Sequence, residues 1–204
     1  MKLVIDTSFS LAFVGTTENY LYKEIPRQND AWLFQMMREA ISSENYLNNI
    51  TEIYLGKGPG SFTGLRVSFT FAKTLACLKE IAIYTFPSLQ SWHQAYELKE
   101  KTMLWQMNRS MIYGYVPHLT NPVIAFRSEE IETIFEKYRI REYVFMPALT
   151  RTPKEFLSKS PLLTQNWIIE CPKKPLKPIS SHGPIPWDKL KPVYGHKLDF
   201  ELRF

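Results

Sequence analysis

Residues 56–68, Gly56-Lys-Gly-Pro-Gly-Ser-Phe-Thr-Gly-Leu-Arg-Val-Ser68, are where the chain's residue types and spacing first point to chemistry. They follow a strand-like run, Glu52 to Leu55, and lead into an apolar stretch. A strand, a glycine-rich turn and a helix N-terminus form a geometry in which backbone N–H groups and the helix dipole accept an anion. No Gly-Lys-Ser/Thr follows to reach terminal phosphates and magnesium. The spacing of Gly56, Gly58, Gly60 and Gly64 is not that of a dinucleotide fingerprint either. The alternative is structural: Gly58-Pro59-Gly60 sets a turn with unusual dihedrals, Ser61 or Thr63 caps the helix beginning at Phe62, and Gly64 permits close backbone approach. Arg66 has three possible targets: an anion, an acid of the same chain, or a partner.

Asp6-Thr7-Ser8 ends the first apolar run. An acid and two hydroxyls there suit a metal-bound water or a phosphate, but they suit an Asx-type turn closing a hairpin better. His93, His118, His182 and His196 show neither HExxH nor HxxxH spacing. Cys77 and Cys171 show no metal or disulfide spacing, and Cys77, inside an apolar helical pattern, is expected to be an inert core residue. Glu129, Glu130 and Glu132 fit the start of a helix, where acids complement the dipole. The residues therefore support no catalytic group, no metal site and no cofactor.

The elements that position these residues follow from periodicity. Lys2–Asp6, Ser10–Val14 and Tyr20–Ile25 read as a three-stranded meander with short polar turns. Asn29 or Asp30 is placed to cap a helix carrying Trp32, Leu33, Met36, Met37, Ala40 and Ile41 at helical spacing. That stripe either packs on the sheet or forms an adaptable partner-binding face. A strand at Ile53–Leu55, a helix over Phe62–Leu78 that is apolar on more than one face, a strand at Ile81–Thr85 and a helix from Pro87-Ser88 complete an α/β layer.

A second unit begins near Glu100-Lys101. It contains a hairpin of Met103–Met107 and Met111–Val116, a strand at Val123–Phe126, a helix over Glu129–Arg139 and a strand at Tyr143–Met146. From Cys171 onward six of the fourteen prolines fall between Pro172 and Pro192. This density forbids a continuous helix or central strand, so the tail is expected to be extended and to drape over the surface or stay mobile.

At 204 residues and 45% hydrophobic content the chain has ample material for a core. It contains no apolar run of membrane-spanning length, and its start does not read as a secretory segment, so a soluble, cytoplasmic protein is expected. Of the net charge of +5, residues 1–100 contribute 9 Lys+Arg against 10 Asp+Glu, and residues 101–204 contribute 16 against 10. A basic second half favours a polyanion such as RNA, or is simply a solvated surface.

Three segments together resemble the TsaB (YeaZ) family, a non-catalytic branch of the actin-like ATPase superfamily involved in making threonylcarbamoyladenosine in tRNA. They are Leu3-Val-Ile-Asp-Thr-Ser8, the glycine-rich stretch Gly56–Arg66, and more loosely Asn108-Arg-Ser-Met-Ile-Tyr113; Lys191-Pro-Val-Tyr194 is similar to the family's closing Pro-x-Tyr. The resemblance is good over residues 1 to about 97 and thin beyond. It implies an actin-like (ASKHA, RNase H-like) α/β fold of two subdomains, 1–99 and 100–204, with mixed sheets flanked by helices.

The resemblance also implies a scaffold that binds a TsaD-like transferase subunit, joined by a TsaE-like ATPase, with a homodimer when the partner is missing. The partner face it implies lies on the first two helices, at Trp32, Leu33, Met36, Met37, Ala40, Leu65, Phe69, Ala72 and Lys73, with Trp32, Met36 and Met37 as anchors. Two departures from the family pattern, Asn29 in place of a histidine and Asn108 in place of an acid, remove ionisable groups. The alternatives are an ATP-dependent enzyme of the same superfamily or a glycoprotease-like peptidase, and direct tRNA binding through Lys173, Lys174, Lys177, Lys189 and Lys191.

Overall fold

Strand β1 (Lys2–Asp6) sends Leu3 and Ile5 into one hydrophobic cluster and Val4 into another, and β2 (Leu11–Gly15) divides Ala12 and Val14 from Leu11 and Phe13 in the same way. Side chains alternate across a strand, so an uninterrupted apolar run means a strand covered on both faces. The structure, a computed structural model, describes residues 1–16, 18–25, 31–41, 46–107, 110–146, 171–179 and 183–194. The expected helix cap at Asn29 or Asp30, the motif residues Asn108 and Arg109, and His182 and His196 lie outside them.

β1 and β2 join β3 (Tyr20–Glu24), β4 (Glu52–Gly56) and β5 (Ala82–Phe86) in a mixed sheet of order β3-β2-β1-β4-β5. β1, β2 and β3 form the antiparallel meander, while β1, β4 and β5 run parallel. Helix α1 (Trp32–Ile41) packs over β2 and β3, and α3 (Phe62–Lys79) over β4, β1 and β5. Between them lies a single turn, α2 (Tyr46–Asn49), too short for periodicity to reveal. The opposite face of the sheet receives α4 (Ser88–Ala95), whose Leu89 and Trp92 are fully buried.

A second mixed sheet, of order β8-β7-β6-β9, is built from β6 (Thr102–Gln106), β7 (Met111–Tyr115), β8 (Val123–Arg127) and β9 (Tyr143–Phe145). Helix α5 (Ile131–Lys137) covers it through Ile131 and Phe135. A 3₁₀ turn, Ser128–Glu130, precedes α5, and there Glu130 accepts a hydrogen bond from the Arg127 backbone N–H at 2.8 Å. Met103 and Trp105 of β6 share a cluster with Val4, Phe13 and Trp92, so an aromatic-rich layer joins the two sheets.

Over its described residues the proline-rich tail bends at 173–174, turns at 187–189, and packs at two places. The hydroxyls of Tyr20 and Tyr22 donate to the carbonyls of Lys173 and Lys174 at 3.0 and 2.7 Å, and Leu176 enters the layer between the sheets. Residues 183–194 form a strap along the other side of the first sheet. Ile185 pairs with Ile83 at the β5 edge, its N–H 2.7 Å from the Ile83 carbonyl, and Leu190 is buried in the cluster beneath α1 and α3. The first unit thus draws part of its core from the far end of the chain.

Candidate functional site

The turn Asp6-Thr7-Ser8 and the glycine-rich loop meet as two pieces of backbone in contact. Ser8 N–H donates to Asp6 Oδ1 at 2.8 Å, the Asx turn expected from the sequence. Ser61 N–H donates to the Ser8 carbonyl at 2.6 Å, and Thr7 Oγ1 bonds to the Gly64 carbonyl and to Ser68 Oγ, each at 2.7 Å. Gly60 and Gly64 have no space for a side chain: a Cβ on Gly60 would stand 2.5 Å from the Ser8 carbonyl oxygen, and one on Gly64 would overlap that of Thr7. Gly58 needs its glycine for a different reason, a φ of 92°.

Several amides of the loop are taken by the chain itself, among them those of Lys57, Gly58, Ser61 and Gly64. Lys57 N–H donates to the Phe86 carbonyl, Gly58 N–H to Ser88 Oγ at 3.0 Å, and Gly64 N–H to the capping Ser61 Oγ at 3.3 Å. Ser88 Oγ also meets Ser8 Oγ at 2.7 Å, so turn, loop and α4 lock together. The strap closes the outside, with Val193 N–H donating to the Lys57 carbonyl at 2.8 Å and the Tyr194 ring 4.9 Å from that of Phe62.

Asp6 is fully buried behind this contact. Burial pushes its carboxyl above the usual carboxylate range, against hydrogen bonds from Ser8 and Trp92 that pull it down. Trp92 Nε1 donates to Asp6 Oδ2 at 3.1 Å, and Phe9 packs edge-on against the same indole. A carboxylate in this position ties β1 to α4. The sequence offered no sign of this pairing, because 86 residues separate the two side chains.

Among the described residues of this unit an apolar groove of about 580 Å³ opens between α1 and α3, lined by Leu33, Phe34, Val67, Phe71, Leu75 and Leu78 among others. Phe34 and Leu78 are 48% and 76% exposed, and Phe34 meets Phe71 edge-on across the two helices. Arg66, Thr63, Thr70 and Thr74 supply its polar wall. Arg66 lies over the Phe62 ring at 5.1 Å.

The interface residues expected from the sequence need correction here. Trp32, Leu33, Met36, Met37 and Ala40 of α1 and Leu65, Phe69 and Ala72 of α3 are all buried in the protein's own core, and of these eight Leu33 also forms part of the groove's floor. The wide stripe is occupied by the sheet, which leaves Met36 and Met37 no surface to offer. Lys73 is half-buried. The residues that these helices present outward include Phe34 and Leu78, which lie off the stripe. Cys77, expected in the core, is exposed, because it follows the buried Ala76 near the outer end of α3.

Other candidates have ordinary structural roles. His93 and His118 each have Nε2 within hydrogen-bonding distance of a carbonyl, of Lys101 at 2.8 Å and of Tyr138 at 3.0 Å, and burial lowers the pKa of His93. Tyr113 is buried, stacked on Trp105. The five tail lysines are divided: Lys173, Lys174 and Lys177 lie on the piece held by β3, where Lys174 pairs with Glu97, while Lys189 and Lys191 lie on the strap at the β5 side. No group of His, Cys, Asp and Glu suited to a metal ion occurs among the described residues.

Residues 23–107 match the profile of the TsaD family, described as tRNA N6-adenosine threonylcarbamoyltransferase. Among solved structures, YeaZ from Pseudomonas aeruginosa is 22% identical with a TM-score of 0.50, over 63% of this chain and 67% of that one. An uncharacterised protein described as similar to the peptidase YeaZ from Pseudomonas aeruginosa is 18% identical with a TM-score of 0.59, over 95% and 98% of the two chains. No curated protein matches the sequence. The chain shares the α/β fold of these two structures, and no helix among the described residues is long and apolar enough to cross a membrane.

Proposed function

From the YeaZ-like fold and the match to a tRNA-modifying family, we propose that this chain is a non-catalytic scaffold subunit of a cytoplasmic complex making N6-threonylcarbamoyladenosine in tRNA. It docks a TsaD-like transferase subunit on the groove between α1 and α3. A TsaE-like ATPase joins the pair, a second copy takes the same face when the partner is missing, and tRNA is met through the complex.

One contrast carries this reading. The loop that resembles a phosphate cradle is closed on its own chain, whereas the groove beside it is open, apolar and rimmed by threonines and Arg66. Burying Phe34 and Leu78 contributes roughly 1.5–3 kcal/mol for each side chain before the costs of association. The test is calorimetric titration of the TsaD-like subunit from the same cells into the wild-type chain and into a Phe34→Asp/Leu78→Asp variant. The expected result is at least a tenfold loss of affinity with the thermal midpoint unchanged. Equal affinity would remove the groove from the interface.

A further inference from the structure

Among the described residues that line the groove, Arg66 alone is charged. It does not serve its own helix. A cation near the N-terminal end of a helix gains nothing from the dipole, and α3 contains no acid that could pair with Arg66 at helical spacing. The ion pairs among the described residues join acids to Lys2, Lys23, Lys101, Arg127 and Lys174, and Arg66 is in none of them.

The other charges of the two groove helices do not offset it. α1 and α3 together hold Arg38, Arg66, Lys73 and Lys79 against one acid, Glu39, whose carboxylate already meets Lys23 at 2.8 Å. Glu80, the residue after α3, stands at the far end, about 21 Å from Arg66 along the axis at 1.5 Å per residue. The Arg66 end of the groove is therefore positive.

The guanidinium is nevertheless held in place. Its central carbon lies 5.1 Å over the Phe62 ring, and Tyr194 packs on that same ring at 4.9 Å. The strap is pinned beside this contact, where Val193 N–H donates to the Lys57 carbonyl. A guanidinium lying on an aromatic ring keeps its N–H edge available, and that planar fork matches the two oxygens of a carboxylate. An arginine ordered before binding also loses less freedom on binding.

We propose that Arg66 recognises a carboxylate of the docked TsaD-like subunit, an Asp or Glu at the Phe62 end of the apolar ridge that fills the groove. Tyr194 is the positioning residue that steadies the Phe62 ring beneath the guanidinium. The proposal rests on the reading that this partner docks on the groove, and adds the chemistry by which it is chosen. An apolar ridge without the acid would cover the guanidinium and leave it unpaired.

The experiment titrates the TsaD-like subunit from the same cells into the full chain by calorimetry at low and high salt, with thermal midpoints as the check on folding. Arg66→Gln is expected to lower affinity at least fivefold and to flatten its salt dependence, with the midpoint unchanged. Arg66→Lys should keep the salt dependence and recover only part of the affinity, since a point charge replaces the fork. Tyr194→Ala should weaken binding in the wild-type background and add nothing to Arg66→Gln; equal effects in the two backgrounds overturn its positioning role. Full affinity in Arg66→Gln alongside a loss in Phe34→Asp/Leu78→Asp overturns the carboxylate contact and leaves the groove as the docking site. A loss in Arg66→Gln with none in Phe34→Asp/Leu78→Asp keeps the carboxylate contact and faults the placing of the apolar ridge. No loss in either overturns both.

Discussion

Replacing Gly60 by alanine sets two effects of opposite sign against each other. A glycine-to-alanine change restricts the unfolded chain and stabilises by about 0.4–1 kcal/mol wherever the native site accepts a methyl group. At position 60 the new Cβ would stand 2.5, 2.6 and 2.7 Å from the carbonyl oxygen, Cβ and Cα of Ser8, and two of those three atoms are backbone. Overpacking of this kind costs about 1–3 kcal/mol. Ser8 yields only by disturbing the hydrogen bonds from Ser61 N–H, to Asp6 Oδ1 and with Ser88 Oγ, and one buried group left unsatisfied adds about 1–3 kcal/mol. The net expectation is a loss of about 2–4 kcal/mol, a fall of roughly 5–15 °C in thermal midpoint for a chain of this size. Differential scanning calorimetry reads it, with Gly183→Ala, which meets nothing within 4 Å, as the control. A midpoint for Gly60→Ala equal to or above wild type would refute the closed contact between loop and turn, and with it the argument that no phosphate sits there.

Three further outcomes follow from the same geometry. Met37→Ala should lower stability in urea by about 2–5 kcal/mol, because the side chain is wholly enclosed by the core; a loss under 1 kcal/mol would return Met37 to the surface. The Asp6 carboxyl is held above its ordinary value, so the folded state binds its proton more tightly than the unfolded state does. The stability this group contributes is fully present below about pH 4 and is lost as pH rises through the folded value. Asp6→Asn should therefore flatten the dependence of thermal midpoint on pH above 4, and an unchanged slope would contradict the burial argument. Titration of ATP with magnesium should give no tight binding, since the Lys57, Gly58, Ser61 and Gly64 amides are bonded within the chain; micromolar affinity would revive the ATP-dependent enzyme reading.

Much of the fold was legible because alternation and helical spacing record which faces are buried. Leu3 and Ile5 against Val4, and Trp32, Leu33, Met36 and Met37 on one stripe, could be read directly from the sequence. What covers a stripe is a tertiary fact. The α1 stripe, which its spacing leaves open between the sheet and a partner and which the resemblance places on a partner face, belongs to the sheet, while Phe34, one apolar residue off the stripe, marks the open groove. Likewise, glycine spacing announced a tight loop without naming its counterpart. Ser8 and Thr7 lie more than fifty positions from Gly60 and Gly64, and nothing local encodes that contact. Cys77 was misplaced because a generally apolar helix conceals which of its residues lie at the emerging end.

The strap has a consequence for how the protein is made. When residue 99 leaves the ribosome, every strand and helix of the first unit has been synthesised, yet the space for Leu190 in its core is unfilled and the β5 edge beside Ile83 has no cover. Domains generally fold as units in the order of their synthesis, but this one must wait for nearly the whole chain before its sheet is sealed. Until then an unpaired edge and an apolar core are open to other nascent chains. A stop codon or frameshift anywhere before about residue 190 should thus leave a product that aggregates, even though it contains the complete glycine-rich loop and both helices of the groove.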